Sequence, residues 1–151
     1  MQLVQPLNEH LIEMMSWFSN EKDLTDWAGP NFSFPYNNTS FVDDLQLNDL
    51  SSFSLVSNDS DFLAFGQYYL RLGKCHLARL IVNPNFRGKG LAKELINCLC
   101  ELGLKELNVI QCSLFVFSHN EIALNTYKKI GFTIANYPSE LTIKNCLYMV
   151  K

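Results

Sequence analysis

The chain has 151 residues, 48% of them apolar, enough to bury one substantial core. No stretch approaches the roughly 20 consecutive apolar residues that a membrane span needs, and a formal charge of −3 argues against nucleic acid as a partner. Met1 to Glu9 carry neither a basic leader nor an apolar signal core, so a cytoplasmic location is expected.

Residues 3–7 read as a first strand, and 10–18 as a helix with Leu11, Met14, Met15 and Phe18 on one stripe. A loop rich in aromatics and proline follows at 27–36, then a short helix at 40–47. Residues 53–56 and 62–72 flank Ser57-Asn58-Asp59-Ser60-Asp61, the pattern of a β-hairpin. The next strand, 75–82, is stopped by Asn83-Pro84. An amphipathic helix over 89–102 carries Leu91, Leu95, Ile96, Leu99 and Leu102 and is expected to end at Gly103. Residues 109–117 form a strand. Ser118 and Glu121 then read as a capping box that opens a helix over 121–130, with Gly131 as its stop. Strands at 132–137 and 147–150 close the chain. The order βααβββαβαββ predicts an α/β fold in one domain, 1–151, with no repeat or linker.

The cysteines (Cys75, Cys98, Cys100, Cys112 and Cys146) are odd in number and include no Cys-x-x-Cys pair. They read as small buried hydrophobes in a reducing compartment, neither staples nor metal ligands. Charge is divided by halves. Residues 1–70 hold ten acids against one base, and residues 71–151 hold eleven bases against five acids. A basic half suits a ligand rich in phosphate, and an acidic half suits a cationic partner such as a protonated amine. The plainer reading of most of these carboxylates is a solvated surface.

Leu80-Ile81-Val82-Asn83-Pro84-Asn85-Phe86-Arg87-Gly88-Lys89-Gly90-Leu91-Ala92-Lys93 carries the most chemical information. A strand, a glycine-punctuated turn and a helix start together make an anion site, because the first helical N–H groups lack intrahelical partners. Gly88 and Gly90 remove Cβ atoms where backbone must approach a ligand, and Arg87, Lys89 and Lys93 add positive charge. A P-loop is disfavoured because Leu91 follows Gly90 where Lys is required, and Lys93 occupies the third glycine position of a dinucleotide fingerprint.

What remains, Arg87-x-x-Gly90-x-Ala92, resembles the pyrophosphate-binding motif (Gln/Arg)-x-x-Gly-x-(Gly/Ala) of the GNAT superfamily of N-acetyltransferases. Downstream, Asn120-x-x-Ala123-x-x-x-Tyr127-x-x-x-Gly131-Phe132 is similar to the second GNAT pattern, Asn-x-x-Ala-x-x-x-Tyr-x-x-x-Gly-Phe. The resemblance covers essentially the whole chain. It implies a single mixed, twisted sheet of about six to seven strands with helices on both faces, whose central strands splay into a coenzyme A cleft. It implies acetyl-CoA as co-substrate, no metal, and an amine-bearing small molecule or peptide as acceptor, in a monomer or homodimer.

Carried over residue by residue, the backbone of Leu80, Ile81 and Val82 would pair with the pantetheine. The amides of Arg87, Gly88, Lys89, Gly90, Leu91, Ala92 and Lys93 would hold the pyrophosphate, and Asn120 would bond the pantetheine arm. Tyr127 falls where the family places the phenol that protonates the departing thiolate; its other reading is a core aromatic. His76, on the strand beside the cofactor, is a candidate general base or a structural histidine, and Arg79 on the same strand either meets substrate or pairs with a core carboxylate. His119 reads as an exposed loop residue. Trp27, Phe32, Phe34 and Tyr36 either line the acceptor pocket or plug the sheet edge. A non-catalytic acetyl-CoA sensor is the alternative to an enzyme, and no residue names the acceptor.

Overall fold

The computed structural model describes residues 1–151. Strand β1 (Gln2–Val4) is followed by three helices, α1 (Asn8–Met15), α2 (Glu21–Ala28) and α3 (Asn38–Leu45). Three strands come next, β2 (Ser51–Val56), β3 (Phe62–Arg71) and β4 (Lys74–Val82). Helix α4 (Leu91–Leu107), β5 (Cys112–Phe117), α5 (Glu121–Ile130), β6 (Thr133–Ala135) and β7 (Cys146–Val150) complete the order. The seven strands form one sheet in the order β1-β2-β3-β4-β5-β7-β6. Every pairing is antiparallel except β4 with β5. The expected mixed sheet is present.

The helices start where local chemistry satisfies their free N–H groups. The Asn20 side chain accepts from Asp23 N at the start of α2. Asn37 and Ser40 exchange bonds at the start of α3, each side chain accepting from the other's backbone. The sequence reading missed α2 and gave its last turn, Trp27 and Ala28, to a loop. Its signals were short but present: Asn20 as cap, Glu21 and Asp23 in the first turn, Gly29 after the last.

Two clusters build the core, one on each face of the sheet. Ala64 and Tyr68 join Leu95, Leu99 and Leu114 in one, while neighbouring Phe65 joins Leu11, Leu24, Phe41 and Leu45 in the other. Adjacent strand residues point to opposite faces, so α4 covers one side and α1–α3 the other.

Helix α4 runs through Gly103 where a stop was expected. A Cβ at Gly103 would lie 2.4 Å from Cys75 Sγ and 3.3 Å from the Tyr68 ring. The glycine is there for close approach of helix to sheet. The capping box at Ser118 is also corrected. Asn120 is the N-cap of α5, its side chain accepting from Ala123 N at 3.3 Å.

Candidate active site

The site is a defect in the sheet. Strands β4 and β5 pair only at Cys75, His76 and Leu77 against Cys112, Ser113 and Leu114. Beyond Leu77 they diverge, so the β5-facing backbone of Ala78 to Val82 has no strand partner. On its other side β4 carries a bulge. Gln67 faces Ala78 and Phe65 faces Ile81, which leaves Arg79 and Leu80 opposite Gly66 alone. Arg79 takes the strain, with φ at +50°. Gly66 is needed there, because a Cβ would lie 2.6 Å from Leu99 Cδ1 and 2.9 Å from Leu80 Cδ2. Asn83 closes the strand: its N–H bonds Leu63 O and its Nδ2 bonds Phe62 O and Glu13 Oε1.

Three cavities run in series through this opening. The first, about 750 Å³, lies between β4, the N-terminal turns of α4 and the length of α5. Its walls include Leu80, Ile81, Val82, Arg87, Gly88, Gly90, Leu91, Ala92, Lys93, Asn120 and Tyr127. Of the expected cofactor residues only Lys89 stands outside this wall, its Nζ 5.1 Å above the Phe86 ring. Gly88 and Gly90 have φ of +79° and +78°, a conformation that costs any other residue roughly 1–2 kcal/mol. Nothing lies within 4 Å of a Cβ built on either. The turn therefore exposes bare backbone to an open cavity at a helix start with positive charge around it.

The second cavity, about 670 Å³, shares Leu80, Ile81, Arg87, Asn120 and Tyr127 with the first and reaches the α1–α2 connection at Trp17 and Phe18 and helix α2 at Asp23. Tyr127 is half-buried, and burial pushes its phenol up to about 12, so it stays protonated at neutral pH. Asn120 Oδ1 is spent as a helix cap, which leaves its Nδ2 as a donor at the junction of the two cavities.

The third cavity, about 520 Å³, lies on the helix α2 side and shares Asp26, Trp27, Ala78, Arg79 and Phe115 with the second. Of the four aromatics named from the sequence, Trp27 alone lines these chambers. Phe32 is buried beneath Arg79, whose guanidinium lies 5.5 Å from its ring centroid. Tyr36 donates its hydroxyl to Met15 O, and Phe34 is exposed against Tyr36.

His76 lines the third cavity, yet it is only 2% exposed and sits edge-on to Tyr69 and Phe115, with Nδ1 2.8 Å from Ser113 Oγ. Burial, helped by the Arg71 charge, lowers its pKa to about 3. Arg79 pairs with no carboxylate; its Nη1 donates to Leu45 O and Gln67 Oε1, each at 3.0 Å. His119 is less free than its loop position suggested. Its Nε2 lies 2.7 Å from Asp26 Oδ1, and Lys22 Nζ meets Asp26 Oδ2 at 2.9 Å. Burial opposes ionisation of Asp26, but these two partners outweigh it and hold the carboxyl below its ordinary value. Nothing in the sequence linked Asp26 to His119, because 93 residues separate them.

Comparison with known proteins identifies the family and the fold. The model of the acetyltransferase (GNAT) family matches residues 21–132. The chain is 34% identical over 56 residues to spermidine N(1)-acetyltransferase of Escherichia coli, covering 37% of this chain and 30% of that protein. It is 43% identical over 51 residues to the uncharacterized N-acetyltransferase YdgE of Bacillus subtilis, covering 34% and 32%. The chain thus spans about a third of the length of the curated relatives it matches. Its fold is similar to that of spermidine N-acetyltransferase from Vibrio cholerae, solved in complex with CoA and spermine. The TM-score is 0.74 at 18% identity, over 99% of this chain and 94% of that one.

Proposed function

The chain belongs to the GNAT acetyltransferase family, and we propose that it moves the acetyl group of acetyl-CoA to a primary amine by direct attack in a ternary complex. One observation carries this reading. The unpaired backbone of β4, the bare glycine turn at the start of α4, and the Asn120 and Tyr127 side chains all meet in one cleft. The pyrophosphate sits on the amides of Arg87 to Lys93. The pantetheine lies along Leu80, Ile81 and Val82 as a partial extra strand, with Asn120 Nδ2 donating to it. The amine nitrogen attacks the thioester carbonyl, and an N–H beside the β4 bulge stabilises the oxyanion. As the C–S bond breaks, Tyr127 gives its proton to the sulfur. That the Vibrio relative was solved with CoA and spermine supports an amine as acceptor.

The incoming amine must first lose a proton. We assign that proton to the Asp26–His119 couple, through water, in preference to His76. His76 is buried between Tyr69 and Phe115, away from solvent, and Ser113 already occupies one of its nitrogens. Asp26 instead lines both chambers through which an amine approaches β4.

Free thiol release from acetyl-CoA across an amine panel tests the reaction. In Tyr127→Phe, kcat should fall by about 10²-fold, the range a positioned general acid supplies, with CoA affinity nearly unchanged. An unaltered kcat would mean that solvent protonates the thiolate. Tight CoA binding with no thiol release from any amine would make the chain an acetyl-CoA sensor.

A further inference from the structure

The 520 Å³ chamber is cationic in an unusual way. Arg71, at the end of β3, lines it without a carboxylate partner, since the ion pairs of this protein involve only Lys22, His119 and Asp26. Its guanidinium is built into place. Nε and Nη2 donate to the Tyr137 hydroxyl at 3.0 and 2.7 Å, and Nη1 donates to the Tyr69 hydroxyl at 3.1 Å. The plane rests 4.9 Å from the Phe115 ring centroid and 5.5 Å from that of Tyr137. These contacts use three of five N–H donors and neutralise no charge. Arg79 adds a second cation to the same wall, bonded to a carbonyl and an amide, with Asp44 acting on it only through space. The chamber's one carboxylate, Asp26, is already paired with Lys22 and His119.

We propose that the acceptor is an amine whose far end carries an oxyanion, a carboxylate or a phosphate, and that Arg71 is the residue that selects it. This rests on the acetyl-transfer reading above and narrows its acceptor. With its amine at the β4 opening, such a molecule extends its anion into the chamber toward the two free Arg71 donors. The Tyr69 hydroxyl accepts from Arg71 and keeps its own proton to donate, so it serves as a second contact. A polyamine entering the same way would place a second ammonium between two guanidinium groups with no free carboxylate to receive it. Of the ten acids in the first half of the chain, which suggest a cationic partner, only the already paired Asp26 lines this wall.

The test is a matched series of primary amines assayed by thiol release: β-alanine, O-phosphoethanolamine, β-alaninamide, ethanolamine and spermidine. The anionic pair should exceed the uncharged-tail pair and spermidine in kcat/KM, and the better of the two identifies the oxyanion. In Arg71→Gln the ratio of anionic to uncharged-tail kcat/KM should fall by about tenfold or more, chiefly through KM, as expected when a charge-assisted contact is lost. Arg71→Lys should fall between, keeping the charge but losing the planar fork. Retained stabilisation by CoA shows that each variant is folded. Spermidine as the best substrate, or an Arg71→Gln loss that is equal for all amines, would overturn the proposal while leaving acetyl transfer intact. If no amine releases thiol, the acetyl-transfer reading fails on its own. Calorimetry of β-alanine and O-phosphoethanolamine on the CoA-bound protein then decides: binding weakened by Arg71→Gln upholds the anion site, and no binding or equal binding refutes it.

Discussion

His76 shows how one residue's surroundings decide its chemistry. The side chain lies between Tyr69 and Phe115 and bonds Ser113, so its ring packs as a neutral aromatic. Its folded pKa, near 3, lies below the ordinary 6.5. Above about pH 6.5 both folded and unfolded chains hold it neutral, and its contribution to stability is complete. As pH falls from there toward 3, the unfolded chain binds a proton that the folded chain refuses. Stability is therefore lost by about 1.4 kcal/mol per pH unit from this group. His10, 5% exposed and stacked on Phe62, is shifted the same way by burial, against the pull of Glu9 and Glu13. Urea unfolding followed from neutral pH to about pH 5 should show this acid slope. His76→Asn, which keeps a polar atom near Nδ1, should be less stable at neutral pH but flatter in acid by close to one proton. An unchanged slope would mean that His76 titrates normally and is open to solvent.

At the scale of elements, the packing of α4 on the sheet makes a sharp prediction. Alanine is the better helix former by about 1 kcal/mol, so Gly103→Ala on an exposed helix would stabilise. Here its Cβ meets Cys75 Sγ at 2.4 Å, inside a core where overpacking costs roughly 1–3 kcal/mol. Chemical denaturation should show a net loss, and Cys75→Ala should recover most of it in the double variant, since removing the sulfur removes the clash. The same glycine marks where sequence reading stopped short. Periodicity found α4 through its stripe of Leu91, Leu95, Ile96 and Leu99, and the spacing Arg87-x-x-Gly90-x-Ala92 found the glycine turn before it, where Gly88 and Gly90 sit at positive φ. It could not tell a helix-ending glycine from a helix-packing one, because that depends on Cys75 and Tyr68 across the interface. Helix α2 was lost for a related reason. At eight residues it holds one fully buried side chain, Leu24, too little for an apolar stripe to register. The wall of the chamber beside α2 was least legible: Arg71 and Tyr137 are 66 residues apart, and Asp26 and His119 are 93. Such pairs exist only after the sheet has closed.

For the whole molecule, the splay that creates the cleft also weakens it. β1 to β4 form one body and β5 to β7 with α5 the other; three residue pairs of β4 and β5 form the strand junction between them, and α4 packs against both through one core cluster. Beyond Leu77 the two bodies face each other across open cavities. A ligand held by Leu80 to Lys93 on one side and by Asn120 and Tyr127 on the other fills the missing strand position and ties the bodies together. CoA should therefore raise the melting temperature by mass action and should do more than order its own contacts. In hydrogen exchange, amides of residues 80–93 should gain protection on binding. So should those of 115–124, on the far wall, because local opening there requires the bodies to part. Amides at the centre of β3, buried and paired on both sides, should exchange by global unfolding and follow the overall stability gain alone. Protection confined to residues 87–93 would show that the pyrophosphate binds without the pantetheine bridging the splay, and that the cleft is not the seat of the thioester.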